Sequence, residues 1–336
     1  MEVPGVLKTL RIALAAGILG LLGSSTHAAD QGTATATDSV VTAPGDCGLY
    51  DCGCYDPIWS VTGGAVFMSR STPGSQQIIH PVGSTATISN ASDFNFDFSG
   101  GPEVTIDRKF ADGNSLELRY FGDLDWTSSA NYGAAGNVQI GSIPNFGAIA
   151  LTANDATRLN GAEINWLHPV NDRITFLAGA RWLDVHDELQ YHVSFPAFGA
   201  LYDWNESNRL YGGQLGGKLA LWKLDGPLSI DAVFKAGVFA NSADNNFDLL
   251  PSTGGSFPGG ETGTAASFVG EIDVMATYAI TNHISLQGGY QMLWIDRLAL
   301  ATDQAAAATL DHTQDGLTTT GDIFAYGATA GIEITW

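Results

Sequence analysis

The chain has 336 residues, of which 15% are charged and 45% hydrophobic, and its formal net charge is -21 at pH 7. Only 14 Lys and Arg residues stand against 35 Asp and Glu residues. The chain therefore lacks the basic surface that a phosphate backbone requires, and the composition argues against nucleic-acid binding. After the N-terminus no apolar run approaches the ~20 residues of a spanning helix, so we do not expect a helical membrane protein.

The first residues have the pattern of an export signal. Lys8 and Arg11 precede an apolar segment over 12–22, and small residues follow in "SSTHAAD". A positively charged end, a short apolar core and a small-residue cleavage site are the three parts of a secretory signal peptide. We predict a signal peptide over residues 1–29 and a periplasmic tether, rich in Ala, Thr, Gly and Asp, over residues 30–57.

Three cysteines lie close together in the tether sequence "CGLYDCGC". In an exported chain a disulfide is favoured, either Cys47–Cys52 or Cys47–Cys54, with one thiol left over. The alternatives are metal binding, for which the cluster offers few ligands, and pairing with another chain. We predict that the bridge staples the tether and has no chemistry of its own.

From Trp59 onward the sequence repeats segments of alternating apolar and polar residues that are closed by turn residues. The pattern predicts about ten strands, with a range of about eight to twelve. They are 59–70, 98–110, 115–127, 157–168, 173–191, 206–222, 228–241, 265–280, 283–299 and 322–336.

The connections between these strands are of two kinds. Tight turns such as "FADGNS" and "KLDGP" alternate with longer polar segments at 71–97, 128–156, 192–205, 242–264 and 300–321. Short turns at one rim and long loops at the other are typical of outer-membrane barrels. The order predicts an all-β, antiparallel up-and-down barrel over residues 58–336 in the cell outer membrane, with both termini periplasmic.

Within the candidate strands, charged side chains share one face and large apolar side chains the other. We predict that the charged face lines the lumen and that the apolar face contacts outer-membrane lipid. A soluble barrel would reverse the two faces, but the signal peptide and the sorted loops favour the membrane arrangement. Aromatic residues near strand ends, Trp126 among them, predict girdles at the membrane interfaces. The predicted lumen charges are Glu103, Asp107, Glu117, Arg119, Asp123, Glu163, Arg181, Lys218, Asp231, Lys235, Glu271, Asp273 and Glu333.

The last strand, "AYGATAGIEITW", alternates without a break. Tyr326, Ile332, Ile334 and Trp336 share its apolar face, and Glu333 lies on the other. We predict that this strand closes the barrel. Its terminal aromatic residue resembles the signal that the outer-membrane barrel assembly machinery reads, which makes that machinery an expected partner.

Several stretches of the chain resemble a known family. They are "GAEINW" (161–166), "LAGARWLDVHDEL" (177–189), "NRLYGGQLGG" (208–217), "KAGVF" (235–239) followed by Asn241, and the long segment 268–304, with a weaker similarity at 59–73. On these residues the chain resembles the β-barrel porin-7 proteins of planctomycete-type bacteria. The family often carries Arg-Pro-Gly-Asp-Gln after its late Gly-Tyr strand, where this chain reads "LALATDQ". The resemblance implies an outer-membrane barrel in a Gram-negative envelope.

One segment, "LDVHDELQYH" (183–192), has a candidate for catalysis. Asp184, His186 and Glu188 share a strand face near the outer rim, a position similar to that of the Asp and His of omptin proteases. Charged residues just outside a membrane are the simpler interpretation. The oxygen-rich segment 241–248 suits Ca²⁺ by ligand type but matches no defined motif. We expect no cofactor and no metal site.

These observations predict a porin-like barrel for passive passage of ions or small solutes, rather than an enzyme. The excess of carboxylates in the lumen favours cations. The alternative is an occluded structural, adhesin or receptor barrel that acts through its outer loops, because side chains fill the interior of narrow barrels. A hydrolase at the rim is the third hypothesis.

Overall fold

The computed structural model describes residues 57–223, 226–309 and 317–336. The predictions for the signal peptide, the tether and the three cysteines lie outside these ranges. The described residues form strands that are linked by turns, together with one short helix. Their bounds are β1 Trp59–Arg70, β2 Gln77–Pro81, β3 Ser89–Asn90, β4 Ser99–Lys109, β5 Ser115–Ile140, β6 Ile143–Pro169, β7 Ile174–Ser194, β8 Gly199–Lys223, β9 Leu228–Pro251, β10 Phe257–Ala279, β11 Ile284–Leu298, α1 Ala301–Ala307 and β12 Gly321–Thr335.

Ten of the strands form a closed antiparallel barrel in the order β1-β4-β5-β6-β7-β8-β9-β10-β11-β12. The ring closes where β1 pairs with β12, from Ser60 opposite Thr335 to Arg70 opposite Ala325. β2 pairs with the distal end of β5, and β3 pairs with β2. The fold class predicted from the sequence is confirmed. Because every strand of a closed ring has two partners over most of its length, the barrel leaves few unpaired backbone groups.

The two rims of the barrel differ. The terminal rim contains the start of β1, the end of β12, the connections 110–114, 170–173 and 280–283, and the described residues 226–227 before β9. There the Trp336 N–H donates to the Trp59 carbonyl oxygen (3.0 Å). The hairpin rim, at the opposite end, contains the connections 71–98, 141–142, 195–198 and 252–256, and the described residues between β11 and β12, which are 299–309 and 317–320. The predicted sorting of the connections between the rims is therefore confirmed.

The predicted lengths of the loops at the hairpin rim are wrong in three cases. Most of 128–156, 192–205 and 242–264 is strand, and the hairpins turn within a few residues. The strand pairing continues through these segments because small and polar residues such as Asn241 and Asn245 are compatible with a strand whose outer face contacts solvent and whose inner face is buried. The segment 300–321, also predicted as a loop, contains α1.

The faces of the strands divide as predicted in the half of the barrel next to the terminal rim. The exterior there exposes large apolar side chains, among them Leu118, Ile164, Phe176, Leu215, Phe234, Val238, Val274, Tyr290, Ile332 and Ile334. Towards the hairpin rim the exterior becomes polar, with exposed ion pairs between Arg158 and Asp125 and between Arg209 and Asp244. In the described ranges, no helix is long and apolar enough to cross a membrane.

Candidate functional site: the barrel interior

The middle of the lumen is crossed by a group of ion pairs, which we call the central charge cluster. Its members are Arg119 on β5, Glu163 on β6, Arg181 on β7, Lys235 on β9 and Glu271 on β10. Each of these strands presents the residue at an inward position of its two-residue alternation, so side chains from opposite walls meet at one height.

Glu271 is the centre of this cluster. Its Oε1 lies 2.7 Å from Arg119 Nη1 and 3.1 Å from Lys235 Nζ, and its Oε2 lies 2.6 Å from Arg181 Nη1. Glu163 also pairs with Lys235 and accepts a hydrogen bond from Gln214 Nε2 (2.6 Å). The Glu271 and Arg181 side chains are 0% exposed. The cluster is therefore dry as well as paired.

Further groups surround the cluster. Arg119 Nε donates to Glu103 Oε1 (2.7 Å), and Glu103 Oε2 accepts from the Thr329 hydroxyl (2.6 Å). The guanidinium carbons of Arg119 and Arg181 lie 5.2 and 5.4 Å from the centre of the Phe121 ring. The Phe121 ring lies on the side of Arg119 and Arg181 that faces the hairpin rim. The apolar part of the interior therefore begins directly beside the polar cluster.

Between the cluster and the hairpin rim the interior is an apolar core, which we call the outer core. The Trp126 indole N–H donates to the Met68 carbonyl oxygen (2.8 Å), so even its polar atom is satisfied. These apolar side chains are buried and pack against one another across the described strands. The outer core includes Val66, Met68, Leu124, Trp126, Leu183, Val185, Leu189, Tyr191, Trp204, Leu210, Phe239, Val269, Leu293, Ile295 and Leu300.

The chain after β11 turns into the lumen and lies across the outer core. Asn208 forms two hydrogen bonds with Ala299, one to its carbonyl oxygen and one from its N–H, both 2.8 Å long. At the start of α1, the Ala301 N–H donates to Asp187 Oδ2 (2.8 Å). The buried alanines of α1 then pack against β2, β7 and β8. Residues 299–307 therefore lie inside the hairpin end of the lumen.

Asp187 belongs to a second buried polar group beside α1. Its Oδ1 accepts from Arg70 Nη1 (3.1 Å) and from the Thr157 hydroxyl (2.5 Å). Glu206 lies directly opposite Asp187 across the β7–β8 pair and is 0% exposed. Burial and the carboxylates of Asp187 and Asp322 raise the pKa of Asp303, on α1, to about 6.

On the other side of the cluster, towards the terminal rim, lies a polar cavity of about 180 Å³, which we call the vestibule. It is bounded by Glu103, Arg119, Lys235 and Asp273 at its inner end. A neighbouring cavity of about 450 Å³ shares Asp107, Glu117, Lys218 and Glu333 with it and extends to Pro57–Ser60 at the rim. Polar cavities thus lie between the cluster and the terminal rim, and buried apolar side chains lie between the cluster and the hairpin rim.

The structure places nearly all of the predicted lumen charges inside the barrel. Asp231 pairs with Lys218 (3.1 Å) at the vestibule wall. Asp123 is a correction, because it is exposed on the exterior beside Asn160, whose Oδ1 accepts the Asp123 N–H (3.0 Å). The cause is a bulge of β5 between Phe121 and Leu124, at which Asp123 has a φ of 53°.

The bulge also corrects the prediction for Trp126. Beyond it the inward positions of β5 change from odd to even numbers, so Trp126 lies in the outer core, with 1% exposure, rather than at a membrane interface. The residues of the predicted assembly signal lie on the exterior face of β12. Tyr326 is half-buried there, and Ile332, Ile334 and Trp336 are exposed.

The candidate catalytic residues do not converge on a cleft. Asp184, His186 and Glu188 lie on the outward face of β7, where His186 Nδ1 is 3.3 Å from the Ser207 hydroxyl. Asp187, between them in sequence, points into the lumen. In the described ranges no group of three or more His, Cys, Asp or Glu side chains is placed to hold a metal ion.

The sequence did not reveal the role of Arg70, Asp187 and α1. The sequence did contain a signal for two of these. Arg70 follows Val66 and Met68 at inward positions of β1, and Asp187 lies an even number of residues after Arg181, so both point inward from β7. No local pattern marks α1, whose seven residues are too few to form a helix without tertiary packing.

Comparison with known proteins adds little to this description. No family model and no curated protein matches the chain. Among solved structures, the chain is similar to the outer membrane protease OmpT from Escherichia coli, with 10% identity, 82% of this chain and 97% of that chain covered, and a TM-score of 0.40. It is also similar to the Pseudomonas putida toluene transporter TodX, with 8% identity, coverage of 84% and 91%, and a TM-score of 0.31. A Pseudomonas aeruginosa FadL homologue follows at 8% identity, coverage of 83% and 89%, and a TM-score of 0.27. At these scores the similarities carry no argument about activity.

Proposed function

We propose that the protein is an outer-membrane β-barrel whose lumen is closed and which acts through the hairpins of its hairpin rim. The observation that carries the proposal is the central charge cluster, in which the side chains of Glu271 and Arg181 are 0% exposed. The ion pairs, the outer core and α1 succeed one another along the lumen towards the hairpin rim, which supports a closed lumen.

The exterior supports a place in a lipid bilayer. A closed barrel satisfies its backbone hydrogen bonds internally, which is the condition for a β-structure to span a membrane. Along β9 the outward residues from Leu228 to Ala240 are apolar or small, and polar residues begin at Ser242. Twelve residue steps of ~3.3 Å, reduced by a strand tilt of ~40°, give a band about 30 Å tall, which is comparable with the hydrocarbon thickness.

We propose further that the termini face the periplasm, that the assembly machinery reads the β12 exterior ending at Trp336, and that the chain is a member of the porin-7-like family it resembles. The quoted stretches of the resemblance fall on β6 to β11, which support the wall and most of the cluster.

Two experiments test this proposal. Intact cells carrying Thr253→Cys, at a hairpin tip, or Ala111→Cys, in a short turn, are treated with a membrane-impermeant maleimide. Labelling of the first position above the wild-type background and protection of the second support the orientation, whereas the reverse overturns it.

Proteoliposomes containing the purified protein should not swell in small sugars or amino acids, and swelling equal to that given by an open porin would contradict the closed lumen.

Passive passage, the first prediction from the sequence, stays a second candidate, and the observation that favours it is the vestibule. A water-accessible cavity reaches the cluster from one side, so only the cluster and the outer half of the lumen would have to rearrange. Passage through it would prefer cations, since carboxylates outnumber cationic side chains around the vestibule. Loss of cation preference in a Glu271→Gln, Asp273→Asn variant would support this candidate, and the absence of any ionic current in either protein would end it.

A further inference from the structure

The vestibule contains carboxylates that the fold brings together without pairing them with cations of their own. Asp107 on β4 and Glu117 on β5 lie directly opposite each other across the strand pair, and both point inward. Like charges in this arrangement destabilise a sheet unless a proton or a cation compensates for them. Lys218, the lysine at this level of the vestibule, is already paired with Asp231 (3.1 Å).

The polar partners of the two carboxylates leave room for a cation. Asn165 Nδ2 donates to Glu117 Oε1 (2.8 Å), and the Ser60 hydroxyl lies 3.4 Å from Asp107 Oδ2. Glu333 on β12 faces the same space, two residues from Thr335 at the rim. Three carboxylates therefore surround the mouth of the vestibule, and the neutral donors beside them use only part of their capacity as acceptors.

The inner end of the vestibule supplies an independent observation. Asp273 on β10 and Gln291 on β11 lie directly opposite each other, line the cavity and are 9% and 1% exposed. Asp273 Oδ1 and both polar atoms of the Gln291 amide are buried and have no hydrogen-bond partner within the described part of the chain. Buried polar groups of this kind are normally satisfied, and one left without a partner destabilises the fold.

The two ends are separated by a distance that suits an extended molecule. Gln291 is paired with Gly327 on β12, and Glu333 lies six positions farther towards the terminal rim. At ~3.3 Å per residue this is about 20 Å along the strand, or about 15 Å along the barrel axis for a tilt of ~40°. The vestibule between them is a narrow polar cavity of about 180 Å³.

The ligand that fits this cavity has a cationic group at each end and a thin apolar chain between them. Six carboxylates line the vestibule against three cationic side chains, so its potential repels anions. The carboxylates are spread along the cavity rather than gathered as a metal-ligand set. An ammonium group has three donors and no acceptor, which complements carboxylate and amide oxygens.

We propose that the vestibule is a binding site for linear aliphatic diamines and polyamines, with one ammonium group between Asp107, Glu117 and Glu333 and another against Asp273 and Gln291. This inference does not depend on whether the outer half of the lumen is closed, because the site is reached from the terminal rim.

The test is isothermal titration of the purified protein in nonionic detergent micelles at low ionic strength. The probes are spermidine, pentylamine, MgCl₂ and undecane-1,11-diamine, a diamine whose extended chain is long enough to reach both ends of the vestibule. Micelles without protein give the blank. Wild-type protein should bind the diamine at least about tenfold more tightly than the monoamine, a difference of about 1.4 kcal/mol. Equal binding of the diamine and the monoamine, or no heat above the blank, overturns the proposal without any variant being needed.

Variants then locate the site. Glu117→Gln keeps an acceptor for Asn165 but removes the charge, and it should weaken diamine binding at least about tenfold. Asp244→Asn removes a carboxylate from the exterior near the hairpin rim and should leave binding unchanged. Heat-modifiable gel mobility confirms that both variants are folded. Wild-type affinity in Glu117→Gln, or an equal loss in Asp244→Asn, would show that the vestibule is not the site, and MgCl₂ binding as tight as that of the diamine would exclude the ligand class.

Discussion

Neutralising Glu271 should destabilise the barrel strongly, because this carboxylate holds three cations in a dry environment. Its oxygens lie 2.7 Å from Arg119, 3.1 Å from Lys235 and 2.6 Å from Arg181. In Glu271→Gln, Arg181 would keep only Glu163, at 3.9 Å, as a carboxylate partner in the cluster. Removing one partner of a buried pair costs about 3–5 kcal/mol, since the other charge stays desolvated and uncompensated.

The assay is urea unfolding of the protein in lipid vesicles, followed by tryptophan fluorescence and by heat-modifiable gel mobility. Asp244→Asn is the matched control: its partner Arg209 is 3.2 Å away, but the two side chains are 30% and 52% exposed. An exposed pair contributes about 0–1 kcal/mol. If Glu271→Gln also cost less than about 1 kcal/mol, water would have to solvate the cluster, and the argument for a dry lumen would be refuted.

Three other substitutions test separate parts of the structure. Trp204→Ala should lower the free energy of unfolding by about 3–5 kcal/mol, because this 0%-exposed ring fills the outer core, and a loss below about 1 kcal/mol in urea unfolding would contradict that packing. The raised pKa of Asp303, about 6, means that its protonated form favours the docked α1, so docking should weaken as pH rises from about 4 to 6 and remain weak above. Hydrogen exchange of 301–307 should show this loss of protection in the wild type but much less in Asp303→Asn; identical pH profiles would refute it. Gly327→Ala should cost about 1–3 kcal/mol, because its Cβ would overlap the Phe67 carbonyl oxygen at the β1–β12 seam, and unchanged heat-modifiable mobility and urea midpoint would count against that close approach.

The half of the barrel next to the terminal rim could be predicted from the sequence because, in the proposed membrane location, its two faces meet different environments. Lipid requires apolar residues outside, and the cluster requires charges inside, so the two-residue period of strands such as β7 and β9 is strong. Leu177, Gly179 and Arg181 point inward there, while Phe176 and Ala178 point outward, as the alternation predicts.

Towards the hairpin rim the alternation of polar and apolar residues no longer predicts the strands. The exterior of the long hairpins contacts water and the interior holds a packed core, but several inward positions are polar. Asn241 and Asn245 are examples, and the Asn241 amide N–H donates to Asn208 Oδ1. The alternation therefore fades although the strands continue. The bulge at Asp123 then exchanges the two faces of β5, and a single residue of this kind is not visible in a periodic pattern.

The central charge cluster itself was only half predictable. The sequence placed Glu163, Arg181, Lys235 and Glu271 on one face, but the pairing of charges from strands far apart in the chain depends on barrel diameter and strand stagger. These quantities decide whether facing side chains line an open pore or meet in its middle.

The most direct test of the account is the conductance of the purified protein in a planar lipid bilayer. Because the dry cluster, the outer core and α1 close the lumen, we expect no steady open-channel current in 1 M KCl at voltages that leave the bilayer intact, even when insertion is confirmed by labelling. A stable ohmic conductance of the wild-type protein would contradict the account.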